Sequence, residues 1–256
     1  MKLNQKRADL SEVLRAKYEK FNLCFEAAYK GQNYEERDEY REVIKSVKEL
    51  SLKPRGNRPQ THALIAYMLL KASRLRAIIN NVARVPNLKN QNRLLWDKRM
   101  IQDGLEYINK SAEGNEVSEY HLRAGICACH ALAKDYESTD WQKMLSLYDQ
   151  YLEIKDCIEI ALERALLISE FEGPKAAIET MLKIDNKNNS TRSKALNSSL
   201  AEFHMKLNEY EQAIERLSIS HDLSEDDNEK SSYLNKIEFC RQQIALSKKY
   251  DQALSF

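Results

Sequence analysis

The residues of this 256-residue chain best suited to chemistry stand in the run Cys127-Ala128-Cys129-His130. Two thiols and an imidazole are donor types that zinc takes, and a thiol beside an imidazole is the raw material of a nucleophile and its base. The spacing opposes both uses. The run lies in a helical pattern, where residues two apart point about 200° away from each other. Cys127 and Cys129 therefore do not grip one ion, and the second ligand pair that a zinc site needs is missing. Cys129 and His130, as neighbours on one helix, do not face each other. The expectation is small thiols at a close-packed position and a structural His130, hydrogen-bonded near a helix end. The sequence holds no Gly-rich phosphate loop, HExxH or GxSxG, and Asp226-Asp227 reads as a helix cap in a polar turn. The chain is expected to be no enzyme, with no catalytic residue, no metal, no cofactor and no small-molecule substrate.

Binding offers more. Trp96 and Trp141 are expected to pack between helices, or else to anchor a partner. Asp97 is expected to pair with a Lys or Arg on a neighbouring helix. Charge is uneven: residues 41–100 carry 14 basic and 3 acidic side chains, while residues 101–256 carry 18 basic and 28 acidic. Arg55, Arg58, Arg74, Arg76 and Arg84 form a candidate basic docking face within the first of these blocks. No aromatic interleaving or helix-turn-helix pattern accompanies it, so an acidic protein partner, or the acidic half of the same chain, is preferred to DNA.

The elements that would hold these residues are helices. Six glycines and four prolines are too few for a loop-rich or β-sandwich fold, and apolar residues recur at three- and four-residue spacing. The opening MKLNQKRADLSEVL has no apolar core of a signal peptide. The longest apolar run, Ala63 to Leu70, is too short for a membrane span. Five cysteines, an odd number, fit reduced thiols and a cytoplasmic protein.

The spacing predicts helices over 9–29, 34–50 and 62–79, the last apolar nearly all round in its first half and capped by Thr61, with 52–60 a loop. A partner helix is predicted over 92–110. From Tyr120 a repeat of 36 residues links Leu145, Met181 and Leu217, and also Cys129, Ala165 and Ala201. It predicts hairpins 119–134 with 140–154, 157–171 with 174–184, and 194–207 with 210–220, closed by a helix over 227–248. The expected fold is all-α, a TPR-like α-solenoid of helix-turn-helix repeats with about eleven helices. Residues 1–115 would form an N-terminal part of four helices, and 116–256 the repeats with a capping helix, joined as one solenoid.

Four runs, RLLWDKRMIQDGL (93–105), YHLRAGICACHA (120–131), STDWQKMLSLYDQYL (138–152) and EGPKAAIETML (172–182), resemble the C-terminal extension of one group of bacterial sigma factors. These are extracytoplasmic-function-type factors that carry a TPR-like domain after two promoter-binding domains. Family members show RxxWD…IxxGL, AAIAACHA, TDWxxIxxLYDxL and EGPxAGL in that order, and HALIAYMLLKASRLRA (62–77) is similar to a further family run. The resemblance marks Trp96, Asp97, Gly104, His130, Asp140, Trp141, Tyr148, Asp149, Arg164, Gly173 and Pro174 as structural or interaction residues. Glu26-Ala27-Ala28 and Glu163 depart from the family pattern. The promoter-binding domains would precede residue 10, so the chain is expected to be a stand-alone relative or a split or truncated form. The resemblance implies a module that modulates transcription initiation by protein–protein contact, its partner RNA polymerase or sigma-factor domains. The alternative is a helical-repeat scaffold or adaptor unrelated to transcription.

Overall fold

The computed structural model describes residues 2–30, 38–80, 88–188 and 193–254, and among the described residues there are helices but no strands. The chain divides into two compact units, 1–155 and 156–256. The first holds α1 (Lys2–Lys30), α2 (Glu39–Ser51), α3 (Pro59–Ala72), α4 (Leu75–Ile79), α5 (Lys98–Ser111), α6 (Glu119–Leu132) and α7 (Trp141–Ile154), with short 3-10 turns at Leu88–Asn90 and Arg93–Leu95. The second holds α8 (Ile158–Phe171), α9 (Pro174–Asn188), α10 (Lys194–Lys206), α11 (Tyr210–Leu223) and α12 (Asp227–Leu254).

Helix α3 is the axis of the first unit. A helix apolar on all sides must be covered on all sides, and every residue from Ala63 to Leu70 is buried. Helices α1, α2, α5 and α6 supply the cover. Phe21 and Phe25 of α1 meet Tyr40 of α2 edge-on, and Tyr18 lies between Tyr67 of α3 and Tyr120 of α6, with ring centroids 5.6 and 5.8 Å away. Helix α5 comes close because Gly104 has no side chain: a Cβ there would stand 2.8 Å from Leu70 Cγ. Gly125 plays the same part between α6 and α7, where a Cβ would meet Leu147 at 3.2 Å.

Between α2 and α5 three boundaries differ from the sequence reading. Helix α3 begins with Pro59 at its first position, which needs no N–H donor there, and Thr61 lies buried inside the helix rather than capping it. The single helix expected over 62–79 is interrupted at Ser73 and Arg74, where Ser73 Oγ donates to Leu70 O at 2.7 Å and the chain restarts as α4. The partner helix begins at Lys98, not at 92, because Asp97 caps it. The first compact unit runs to Lys155, and Tyr120 and Ala124 of α6 belong to the core built on α3.

In the second unit the hairpins α8–α9 and α10–α11 lie side by side in chain order, with α12 against α11. The repeat of 36 residues is realised here. Ala165 and Ala201, Ala177 and Ala213, and Met181 and Leu217 are all fully buried, the small residues letting helices approach and the large ones filling between them. The tight turns need left-handed backbone: Gly173 has φ 87° and Asn208 φ 60°. The α6–α7 hairpin falls out of this register. Its turn covers 133–140, against 172–173 between α8 and α9, and Ala128 and Met144 are buried where the spacing nominated Cys129 and Leu145.

Candidate functional site

The chemically distinctive place lies in the first unit, where the segment 91–97 crosses the end of α3 and the end of α6. Asn92 Oδ1 accepts from Leu94 N at 3.0 Å, and Trp96 N donates to Arg93 O at 3.1 Å, so the segment is wound into a tight turn. Asp97 then acts twice. Its backbone N–H donates to Ser73 O at 2.8 Å, tying the segment to the break after α3. Its side chain accepts from Met100 N at 2.9 Å, capping α5. The Asp97 carboxylate, expected in an ion pair, serves as this cap, and no ion pair to it is formed among the described residues.

These ties press Trp96, 6% exposed, against two arginines. The guanidinium carbons of Arg93 and Arg74 stand 4.6 and 6.0 Å from its ring centroid. Arg93 Nη1 also donates to His130 O at 2.7 Å and to Ala133 O at 2.9 Å. Those carbonyls are at the end of α6, where no further helical N–H reaches them. So His130 does receive a hydrogen bond near a helix end, but through its backbone oxygen. Its buried ring stands edge-on to Trp141 at 5.7 Å, and Tyr136 packs on Trp141 at 4.8 Å. Asp140 caps α7 by accepting from Lys143 N at 2.9 Å.

The electrostatics follow from burial. Desolvation first, then the charges of Arg74 and Arg93, push the His130 imidazole down from 6.5 to about 3, so it is neutral at physiological pH. Burial lowers the Arg74 guanidinium as well, and the groups acting on it are Cys127, Tyr67 and Tyr148, with no carboxylate among them. Burial raises the Cys129 thiol, which keeps it protonated and a poor nucleophile. Several buried polar atoms here have no hydrogen-bond partner among the described residues: Arg74 Nη1, Arg93 Nη2, Trp96 Nε1, His130 Nδ1 and both amide atoms of Gln91. Among the described residues, no group of three or more His, Cys, Asp or Glu is placed to hold a metal ion.

The five arginines do not make one face. Arg74 is drawn in under Trp96. Arg55 and Arg58 are exposed at the start of α3, and Arg76 is exposed on α4 beyond its far end, about 20 Å along the helix. Arg84 lies outside the described residues. Of the remaining marked positions, Tyr148 is buried in α7, Asp149 and Arg164 are half-buried on α7 and α8, and Gly173 with Pro174 forms the turn into α9. Arg93 was present in the basic block but was not singled out. Its place three residues before Trp96 is the signal that could have marked it.

Fold and site together define an all-helical protein of packed hairpins, its first unit locked by a buried tryptophan–arginine junction. Residues 9–112, which cover α1 from Asp9 through α5, match the model of a family of unknown function (DUF6596). An uncharacterized protein of Rhizobium meliloti (strain 1021) is 35% identical over 120 residues, which are 47% of this chain and 28% of that relative. The chain thus spans under a third of the length of the curated relative it matches. Among the described residues no helix is long and apolar enough to cross a membrane.

Proposed function

We propose that this chain is a non-catalytic, cytoplasmic protein-interaction module related to the C-terminal extension of sigma factors, and that it modulates transcription initiation by contacting RNA polymerase or sigma-factor domains. The observation that carries the reading is where the sigma-like runs fall. RLLWDKRMIQDGL forms the crossing segment and α5, YHLRAGICACHA is α6, STDWQKMLSLYDQYL is a turn with α7, and EGPKAAIETML is a turn with α9. Their distinctive residues serve joints: the Asp97 and Asp140 caps, the Gly104 approach, the left-handed Gly173 and the helix-starting Pro174. Such a pattern specifies a framework and leaves its outer surface to recognition.

The surface best suited to an acidic partner is the α2–α3 loop. Leu52 is 84% exposed, and Lys53, Arg55 and Arg58 are exposed beside it. The loop is held rigid by Gly56 N donating to Lys53 O at 2.8 Å and Arg58 N to Gly56 O at 2.9 Å. A Cβ at Gly56 would stand 2.1 Å from Leu50 O, so the turn tolerates glycine alone. A fixed apolar tip ringed by cations presents little entropy to lose on docking. The test is run-off transcription by purified bacterial RNA polymerase with and without the chain. The expected result is a change in initiation that Arg55→Glu with Arg58→Glu abolishes. Unchanged initiation over a wide concentration range counts against the proposal.

A further inference from the structure

The buried junction around Trp96 contains more hydrogen-bond donors than the protein uses. Trp96 and His130 are each 6% exposed, and Trp96 Nε1 and His130 Nδ1 have no partner among the described residues. Arg74 Nη1 and Arg93 Nη2 are also unpartnered, and both guanidinium groups lie within 6.0 Å of one indole ring. Gln91, 7% exposed and two residues before Arg93, leaves both ends of its amide unused. A buried guanidinium or indole N–H without an acceptor is unfavourable, and folded proteins rarely leave several together. Two of these side chains, Arg74 and Arg93, carry fixed positive charge against the Trp96 ring, and like the indole N–H they can only donate. Asp135 and Glu137 act electrostatically on Arg93, whereas the groups that act on Arg74 among the described residues, Cys127, Tyr67 and Tyr148, include no carboxylate. A complementary occupant is therefore negatively charged, rich in acceptors and small, because the donor atoms are buried.

We propose that this junction is a binding site for a small oxyanion of carboxylate or phosphate size, held by Arg74 Nη1, Arg93 Nη2 and the Trp96 indole N–H. Two forked guanidinium groups suit an acceptor with several oxygens better than a spherical halide. His130, neutral and adjacent, donates from Nδ1 when that nitrogen carries the proton. Entry requires the 3-10 segment Arg93–Leu95 to lift, and that segment is a short turn whose Leu94 is exposed. The occupant would fasten this segment to α3 and α6 and so tighten the first unit as a whole. The site is separate from the α2–α3 loop proposed for docking, so either assignment can fail without the other.

The experiment titrates inorganic phosphate and, separately, acetate into the full chain, with chloride at matched ionic strength as control. The chain has two tryptophans, so two indole N–H signals are read by NMR, that of Trp96 identified from a Trp141→Phe variant. The expected result is a saturable shift of the Trp96 signal with one or both oxyanions, beyond the chloride control. A thermal midpoint that rises with the logarithm of ligand concentration should accompany it. Phosphate without acetate assigns a tetrahedral dianion site, and the reverse a carboxylate site. Arg74→Met should weaken binding about tenfold or more. No shift beyond chloride overturns the proposal and leaves ordered water as the acceptor. Because the wild-type titration decides the matter alone, a poorly folded Arg74→Met does not obscure it.

Discussion

His130 shows how one side chain ties the junction to acidity. Its folded value, about 3, lies below the 6.5 of an exposed imidazole. The unfolded chain therefore takes up a proton first as pH falls. The stability linked to His130 is complete above about pH 6.5 and is lost progressively on acidification toward 3. At pH 5 the loss is about 2 kcal/mol relative to pH 7. Urea unfolding of wild type and His130→Gln at both pH values measures it: the variant should lose less stability on acidification, and identical pH slopes would contradict the assignment. Gly104 makes a steric prediction. Gly104→Ala gains about 1 kcal/mol of helix propensity but must displace Leu70, and overpacking costs about 1–3 kcal/mol. The net expectation is a less stable protein, read as a lower denaturation midpoint, and a stabilised variant would show that Leu70 yields freely. Sequence named Trp96, Asp97 and His130 but not their meeting. Arg74 looked like one surface cation among many, because only packing decides which arginine of a basic run is drawn under an indole.

Among the elements, the caps carry the clearest expectation. Asp97→Ala and Asp140→Ala each remove an acceptor from the first turn of a helix, α5 and α7 respectively. Each should lower stability by about 1 kcal/mol, with the Asn variants close to wild type. Alanine variants as stable as the parent would mean that neighbouring packing, not the cap, fixes these helix starts. The ends of α8, α10 and α11 were legible within about three residues, because these helices are bounded by residues such as Gly173-Pro174 or Asn208, whereas α12 runs to Leu254, past the expected 248. The break after α3 was not legible. It is completed by Asp97 N–H reaching Ser73 O, a contact between distant parts of the chain to which local pattern is blind. Thr61 misled for a related reason: a good capping residue stood two places after a proline better suited to begin the helix.

At the scale of the molecule, the chain holds two compact helical units, and the repeat unites the hairpins of the second rather than running from Tyr120 onward. The all-α class was readable from periodicity. Helix α6 carries Gly125 toward Leu147 of α7 and aromatic Tyr120 toward Tyr18 of α1, and only the packed core shows which attachment dominates. The uneven charge persists as an exposed cationic loop at Lys53, Arg55 and Arg58, while part of the basic block is turned inward at Arg74. The central claim is that this framework acts by contact with the transcription machinery. The most direct measurement is equilibrium binding of the purified full chain to immobilised bacterial RNA polymerase, with core enzyme and holoenzyme tested separately. The account predicts saturable binding that weakens with salt and falls about tenfold or more in the Arg55→Glu, Arg58→Glu double variant. No saturable binding to either form of the polymerase would contradict it.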